Sequence, residues 1–195
     1  MNILSGGIAL TTNENDCLLY MVPDAEAWVT SMIFEKARLR RDALISEWQP
    51  RLFADESVTE LPANLDELAT LILARSDYQT RAQKDAASDP VIPVSTANKD
   101  KYDAVSRSGS TVTLFGSGIT IPDLSGNCIL AYVQDLEDWV IGALMGQVNR
   151  GKKKLISQYR PIIMDDPSVS TMPATEDGLI TMIVARDDYP KLGSN

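Results

Sequence analysis

Residues 17–29 read CLLYMVPDAEAWV and residues 128–140 read CILAYVQDLEDWV. The two stretches stand 111 residues apart, and the same offset aligns the downstream residues. LISEWQPRLFADESV (44–58) lies over LISQYRPIIMDDPSV (155–169), and LPANLDELATLILARSDY (61–78) over MPATEDGLITMIVARDDY (172–189). Between 17–78 and 128–189, 24 of 62 positions are identical and no gap is needed. Agreement over this length at one fixed spacing marks a tandem duplication. A weaker match, Gly7-Ile8 over Gly118-Ile119, carries it upstream. The chain therefore reads as repeat unit 1 (5–78), a linker (79–110) and repeat unit 2 (111–189). The linker, polar and interrupted at Asp89-Pro90 and Ile92-Pro93, is expected to be extended with little regular structure.

Comparing the copies shows what both retained. Cys17/Cys128, Asp24/Asp135, Trp28/Trp139, Leu44/Leu155, Pro50/Pro161, Asp55/Asp166 and Pro62/Pro173 are mostly anchors, caps and prolines. The polar constellation that both keep is Arg75-x-Asp77-Tyr78 and Arg186-x-Asp188-Tyr189. At the end of a helix, that pattern suits a clamp in which Arg meets both the dipole and the Asp.

Within each unit, Cys17–Val22 and Cys128–Val133 are short apolar runs and are expected to be strands. Asp24 and Asp135 suit helix N-caps. Val29, Ile33, Ala37, Leu44 and Trp48 then fall on one helical stripe, as do Val140, Leu144, Val148, Leu155 and Tyr159. The spacing predicts a helix of about 25 residues, ~37 Å long, kinked or restarted at Pro50 and Pro161. The stripe is broken by Arg40 in one copy and Gly151 in the other. Asn64 with Glu67 forms a capping-box pattern before a second helix, Leu65–Ala74. In copy two Thr175 is the cap and Gly178 stands at the Glu position. Thr111–Phe115 reads as a short strand. The fold class is mostly α with small β-elements (α+β), in two homologous tandem domains.

The chain has 195 residues and 18 Lys and Arg against 27 Asp and Glu, a formal charge of −9. It contains no histidine and two cysteines. The lack of histidine removes the commonest general base and the Ser-His-Asp and Cys-His arrangements. Phosphate-binding and nucleophile-elbow glycine motifs are missing as well. No enzymatic activity and no cofactor or metal are expected. Cys17 and Cys128 read as buried, inert thiols. The N-terminus lacks the pattern of a secretory signal, and no apolar run approaches the ~18 residues of a membrane span. A soluble protein made in a cytoplasm is expected, with no membrane partner.

Against this acidic background each long helix carries a basic cluster: Lys36, Arg38, Arg40 and Arg41 in copy one, and Arg150, Lys152, Lys153 and Lys154 in copy two. Arg38, Arg40, Arg41, Arg150, Lys152, Lys153 and Lys154 are the candidate partner-binding residues. They suit an acidic protein surface or phosphate. The bland alternative is a solvated helix face whose long stems cover apolar surface.

The long-helix blocks resemble a group of small, uncharacterised structural proteins of tailed bacteriophages. The group's pattern is a helix with a Lys/Arg cluster, then an acidic or amide residue, an aromatic, a proline and a Leu. LISEWQPRLFAD (44–55) looks like it, as does the Pro-Ala-x-x-x-x-Leu-x-x-Leu-Ile-x-Ala-Arg pattern of residues 62–75. Copy two departs from the latter at Met182. The group often has a cysteine in the basic helix, which this chain lacks, so a disulfide role of that helix does not carry over. The resemblance covers about two thirds of the chain and implies a non-enzymatic virion component of the tail, neck or baseplate. The expected partners are other virion proteins and further copies of the chain, because one thin unit cannot cover two apolar stripes. The alternative is a nucleic-acid-binding regulator using the basic helices, although nucleic acid is not the expected partner of so acidic a chain. The pairs Arg40/Gly151 and Phe34/Met145 differ in volume, so the two long helices are expected to meet different surroundings.

Overall fold

The structure is a computed structural model that describes residues 1–102 and 111–190. In chain order come strands β1 (Asn2–Ile3), upstream of the expected start of repeat unit 1 at residue 5, and β2 (Ile8–Thr11). Helices α1 (Thr12–Met21), α2 (Ala25–Ala54) and α3 (Leu65–Leu73) follow. Helices α4 (Arg81–Ala86) and α5 (Ala97–Tyr102) come next. Repeat unit 2 supplies β3 (Thr111–Leu114), β4 (Ile119–Thr120), α6 (Asp123–Leu130), α7 (Leu136–Met164) and α8 (Glu176–Val184). The fold is mostly α with two small β-elements, as expected from the sequence.

The 111-residue offset reappears as a twofold relation in the backbone. Strands β1 and β4 pair antiparallel with Ile3 opposite Ile119, and β2 and β3 with Ile8 opposite Leu114. Exchanging the copies turns the first pair into the second, since Ile3 corresponds to Leu114 and Ile8 to Ile119. Each copy therefore forms its ladders with the other copy. The turns that separate the strands match as well. Leu4 and Phe115 both have φ 57°, and Gly7 and Gly118 both have φ 73°. Bulky side chains rarely enter that left-handed region. Here Leu4 and Phe115 are buried, so packing holds them there.

The helices are exchanged in the same way. α1 packs on α7, and α6 packs on α2. The shorter helices stay with their own copy, α3 on α2 and α8 on α7. Two hydrophobic clusters result. The larger takes in α1, the first half of α2 (Val29, Ile33, Ala37) and the α7 stripe from Val140 to Ile163. The smaller gathers Leu44, Ile45, Trp48 and Leu52 of α2, Leu68, Ala69 and Ile72 of α3, and Cys128 of α6. Every residue of both predicted stripes is buried. Trp28 and Trp139 are both half-buried against the larger cluster, in equivalent places.

Several local expectations are corrected. Cys17–Val22 and Cys128–Val133 are not strands: their apolar residues belong to α1 and α6 and the turns after them. α1 starts at a capping box in which the Thr11 hydroxyl accepts from the Glu14 N–H and the Glu14 carboxylate accepts from the Thr11 N–H. The long helices run unbroken through Pro50 and Pro161, to 30 and 29 residues. Both prolines lie in the last turn or so, where little helix remains to be disrupted. Asp24, Asp135 and Thr175 cap as predicted. Asn64 also caps, accepting from the Asp66 and Glu67 N–H groups, but the reciprocal bond from Glu67 is not formed.

Among its described residues the expected linker carries two short helices. The buried Asp85 carboxylate accepts from Arg81 (2.8 Å) and from Gln134 (2.6 Å), tying α4 to the entry of α7. The Asn98 and Lys99 N–H groups donate to Asp138, and Lys99 pairs with Glu137 at 2.7 Å. Tyr102 is buried in the larger cluster. The remaining linker residues, 103–110, lie outside the described residues.

This tether explains one divergence between the copies. Met145 is 6% exposed on the helix that α5 covers, whereas Phe34, its counterpart, is 44% exposed.

Candidate functional site

The basic clusters are largely engaged within the chain. Arg38 makes two hydrogen bonds to Glu35 and lies 3.8 Å from Asp42. Arg41 bridges Asp42 and Asp66 at 2.8 and 2.7 Å, linking α2 to α3. Lys152 makes the equivalent link to Asp177, between α7 and α8. Burial works against the Lys152 ammonium, but the Asp177 carboxylate more than offsets it and raises its pKa. Arg40 stacks over the Tyr132 ring at 4.5 Å, and Lys154 over Tyr20 at 5.2 Å. Arg150 donates back to the Gly146 carbonyl. Among the described residues Lys153 makes no ion pair. These side chains mostly hold helices together, and they do not converge on one pocket.

The Arg-x-Asp-Tyr motifs form two matching clamps. Arg75 bonds Asp77 and reaches Asp55, the C-cap of α2, both at 2.9 Å. Arg186 bonds Asp188 at 2.8 Å and Asp166 at 3.0 Å. Asp55 and Asp166 also accept from the hydroxyl and N–H of Ser57 and Ser168. The serine bonds first, and the arginine next, hold both carboxyl groups down at about 2. Tyr78 then packs on Trp48 with ring centres 6.1 Å apart, and Tyr189 on Tyr159 at 6.2 Å. Burial pushes both of the clamp tyrosines up to about 12. The clamp fixes where each short helix ends against its long helix.

The two thiols are free and buried, one in each cluster, and burial raises both to about 11. Among the described residues no group of three or more His, Cys, Asp or Glu side chains is placed to hold a metal ion. Among them no helix is long and apolar enough to cross a membrane.

Each long helix also exposes a large apolar side chain at its far end. On α7 a shallow groove of about 430 Å³ runs between Lys153, Ile156, Arg160, Pro161 and Met164, with Glu176 of α8 on its rim. Met164 is 69% exposed. The equivalent positions on copy one are Asp42, Ile45, Gln49, Pro50, Phe53 and Leu65, where Phe53 is 71% exposed and Leu65 also stands in solvent. Of the candidate basic residues, only Lys153 lines the α7 groove. Phe53 and Met164 are not among the residues that the sequence singles out. The signal that could have found them is the adjacent pairs Leu52-Phe53 and Ile163-Met164. Only one member of each can lie on the buried stripe, so the other must face water.

Comparison of the chain with models of known protein families, with curated proteins and with solved structures gives no match.

Proposed function

We propose that this chain is a non-enzymatic assembly protein, a structural component of a tailed-bacteriophage particle in the tail, neck or baseplate, acting through protein–protein contacts within the virion. The observation that carries the assembly role is the pair Phe53 and Met164. Both copies place a large apolar side chain at one helical position and leave it about 70% exposed, although the residue itself has changed. Contiguous apolar patches with polar rims mark contact surfaces, and Met164 forms one with Ile156 and Pro161. The particle in question is suggested by the resemblance of residues 44–55 and 62–75 to phage structural proteins. The basic side chains that a nucleic-acid regulator would need are mostly bound to neighbouring carboxylates and rings.

The test is purification of intact particles from cells producing this protein, with cross-linking and mass spectrometry. The chain should co-purify at fixed stoichiometry, with cross-links from Lys153 to another protein of the particle. Absence from the particles would refute the proposed role. Steeply salt-dependent retention on DNA would favour the regulator instead.

A further inference from the structure

We infer that copies of this chain associate head to tail, with the Phe53 face of one molecule seated on the Met164 face of the next. The inference rests on the assembly reading above and names the partner, a second copy of the chain. The two faces are equivalent in backbone, since α2 and α7 end within one residue of corresponding places. They have diverged in charge. Asp42, which also pairs with Arg38 and Arg41, and Gln49 on one face correspond to Lys153 and Arg160 on the other, while Leu65 corresponds to Glu176. On copy one Glu56 and Glu60, which follow α2, and Glu67 of α3 are exposed, and their counterparts Pro167, Thr171 and Gly178 carry no charge. Residues 35–67 hold eight acidic and five basic residues, a net −3, whereas 146–178 hold four acidic and five basic, a net +1. In a chain of net charge −9, the basic end is where an acidic end meets least repulsion.

Like faces would bring like charge together, so charge disfavours Phe53 against Phe53. The unlike pairing joins an apolar centre to an apolar centre within complementary rims. Because the contact uses a different surface on each molecule, it is heterologous. It leaves one face free at each end of a dimer and continues into a ring or an open chain.

Sedimentation velocity on the full chain tests this, using wild type, Phe53→Asp, Met164→Asp and an equimolar mixture of the two variants. Both sites are exposed, and far-UV circular dichroism with thermal melting checks that both variants fold. Wild type should form species larger than a dimer, weakening by about tenfold or more as salt rises from about 0.05 M to about 0.5 M. Each variant alone should be monomeric, because it lacks one of the two faces. The mixture should form a dimer and stop there, since one intact face of each kind remains. A Phe53→Asp variant that still self-associates, or a mixture that stays monomeric while wild type assembles, would overturn the head-to-tail contact. So would a wild-type chain that stays monomeric throughout. These outcomes leave the virion reading intact if the chain still co-purifies with particles. Self-association of a chain absent from particles would do the reverse.

Discussion

Gly151 of α7 lies directly beneath the Cys17 carbonyl of α1, so close that a Cβ at this position would overlap that oxygen. The crossing of α1 over α7 is set by this absence of a side chain. In copy one the equivalent place holds Arg40, which turns aside and stacks on Tyr132. The counterpart of Cys17 is Cys128, which lies within α6.

Gly151→Ala should therefore destabilise the protein by about 1–3 kcal/mol, because a packed backbone must move. Arg40→Gly should have a smaller effect, through loss of a half-exposed ring contact and of helix propensity. Thermal denaturation of the two variants beside wild type makes the comparison. A Gly151→Ala melting point equal to that of wild type would show that the helices can separate without loss.

The clamps predict an acid limb of stability. Asp55 and Asp166 are held at about 2 in the folded chain against an ordinary value of 3.8. A depressed carboxyl stabilises the fold above its unfolded value and loses that contribution as pH falls through the folded one. The melting temperature should drop between about pH 4 and about pH 2. In an Asp55→Asn, Asp166→Asn double variant the drop over this window should be shallower. Equal slopes in the two proteins would mean that the clamps do not govern acid unfolding.

The thiols give a packing test. Cys17 and Cys128 are buried, and burial raises both to about 11, so little thiolate forms near neutral pH. Neither should react with a disulfide reagent in native buffer near pH 8, and both should react promptly in denaturant. Rapid native labelling of one cysteine would locate the cluster that opens first.

Much of this architecture can be read from the residues, and the remainder is missing for identifiable reasons. The repeat, the buried stripes, the Asp24 and Asp135 caps and the Arg-x-Asp-Tyr clamp are local patterns, and a self-alignment exposes them. Cys17–Val22 misleads because a six-residue apolar run fits a buried strand and a helix segment equally well. The Thr11-x-x-Glu14 box just upstream is the deciding signal. The exchange of β1 and α1 for their sister elements leaves no trace in periodicity, because a stripe records that it is buried but not by what. The Phe53 and Met164 faces are hidden for a similar reason: each stands beside a core leucine or isoleucine. The basic clusters are easy to see, yet their partners Asp66, Asp177, Tyr132 and Tyr20 lie on other elements.

Repeat unit 1 alone should not fold as a monomer. In residues 1–78 strand β1 loses β4, and α1 loses α7. Helicity should appear only as concentration rises, through a dimer in which residues 8–9 of each chain pair with residues 2–3 of the other. Circular dichroism across a dilution series tests this. A helical monomer at low concentration would show that one repeat is self-sufficient.

Strand exchange also imposes a schedule on synthesis. Ile3 pairs with Ile119 and Ile8 with Leu114, partners more than a hundred residues later in the chain. At ribosomal rates of about 5–20 residues per second, the first strands wait roughly 5–20 seconds for their complements. During that interval α1 and the start of α2 present their apolar stripes to water, open to aggregation or to a chaperone. A nascent chain that stops before residue 111 lacks β3 and β4, and its first strands have no complement.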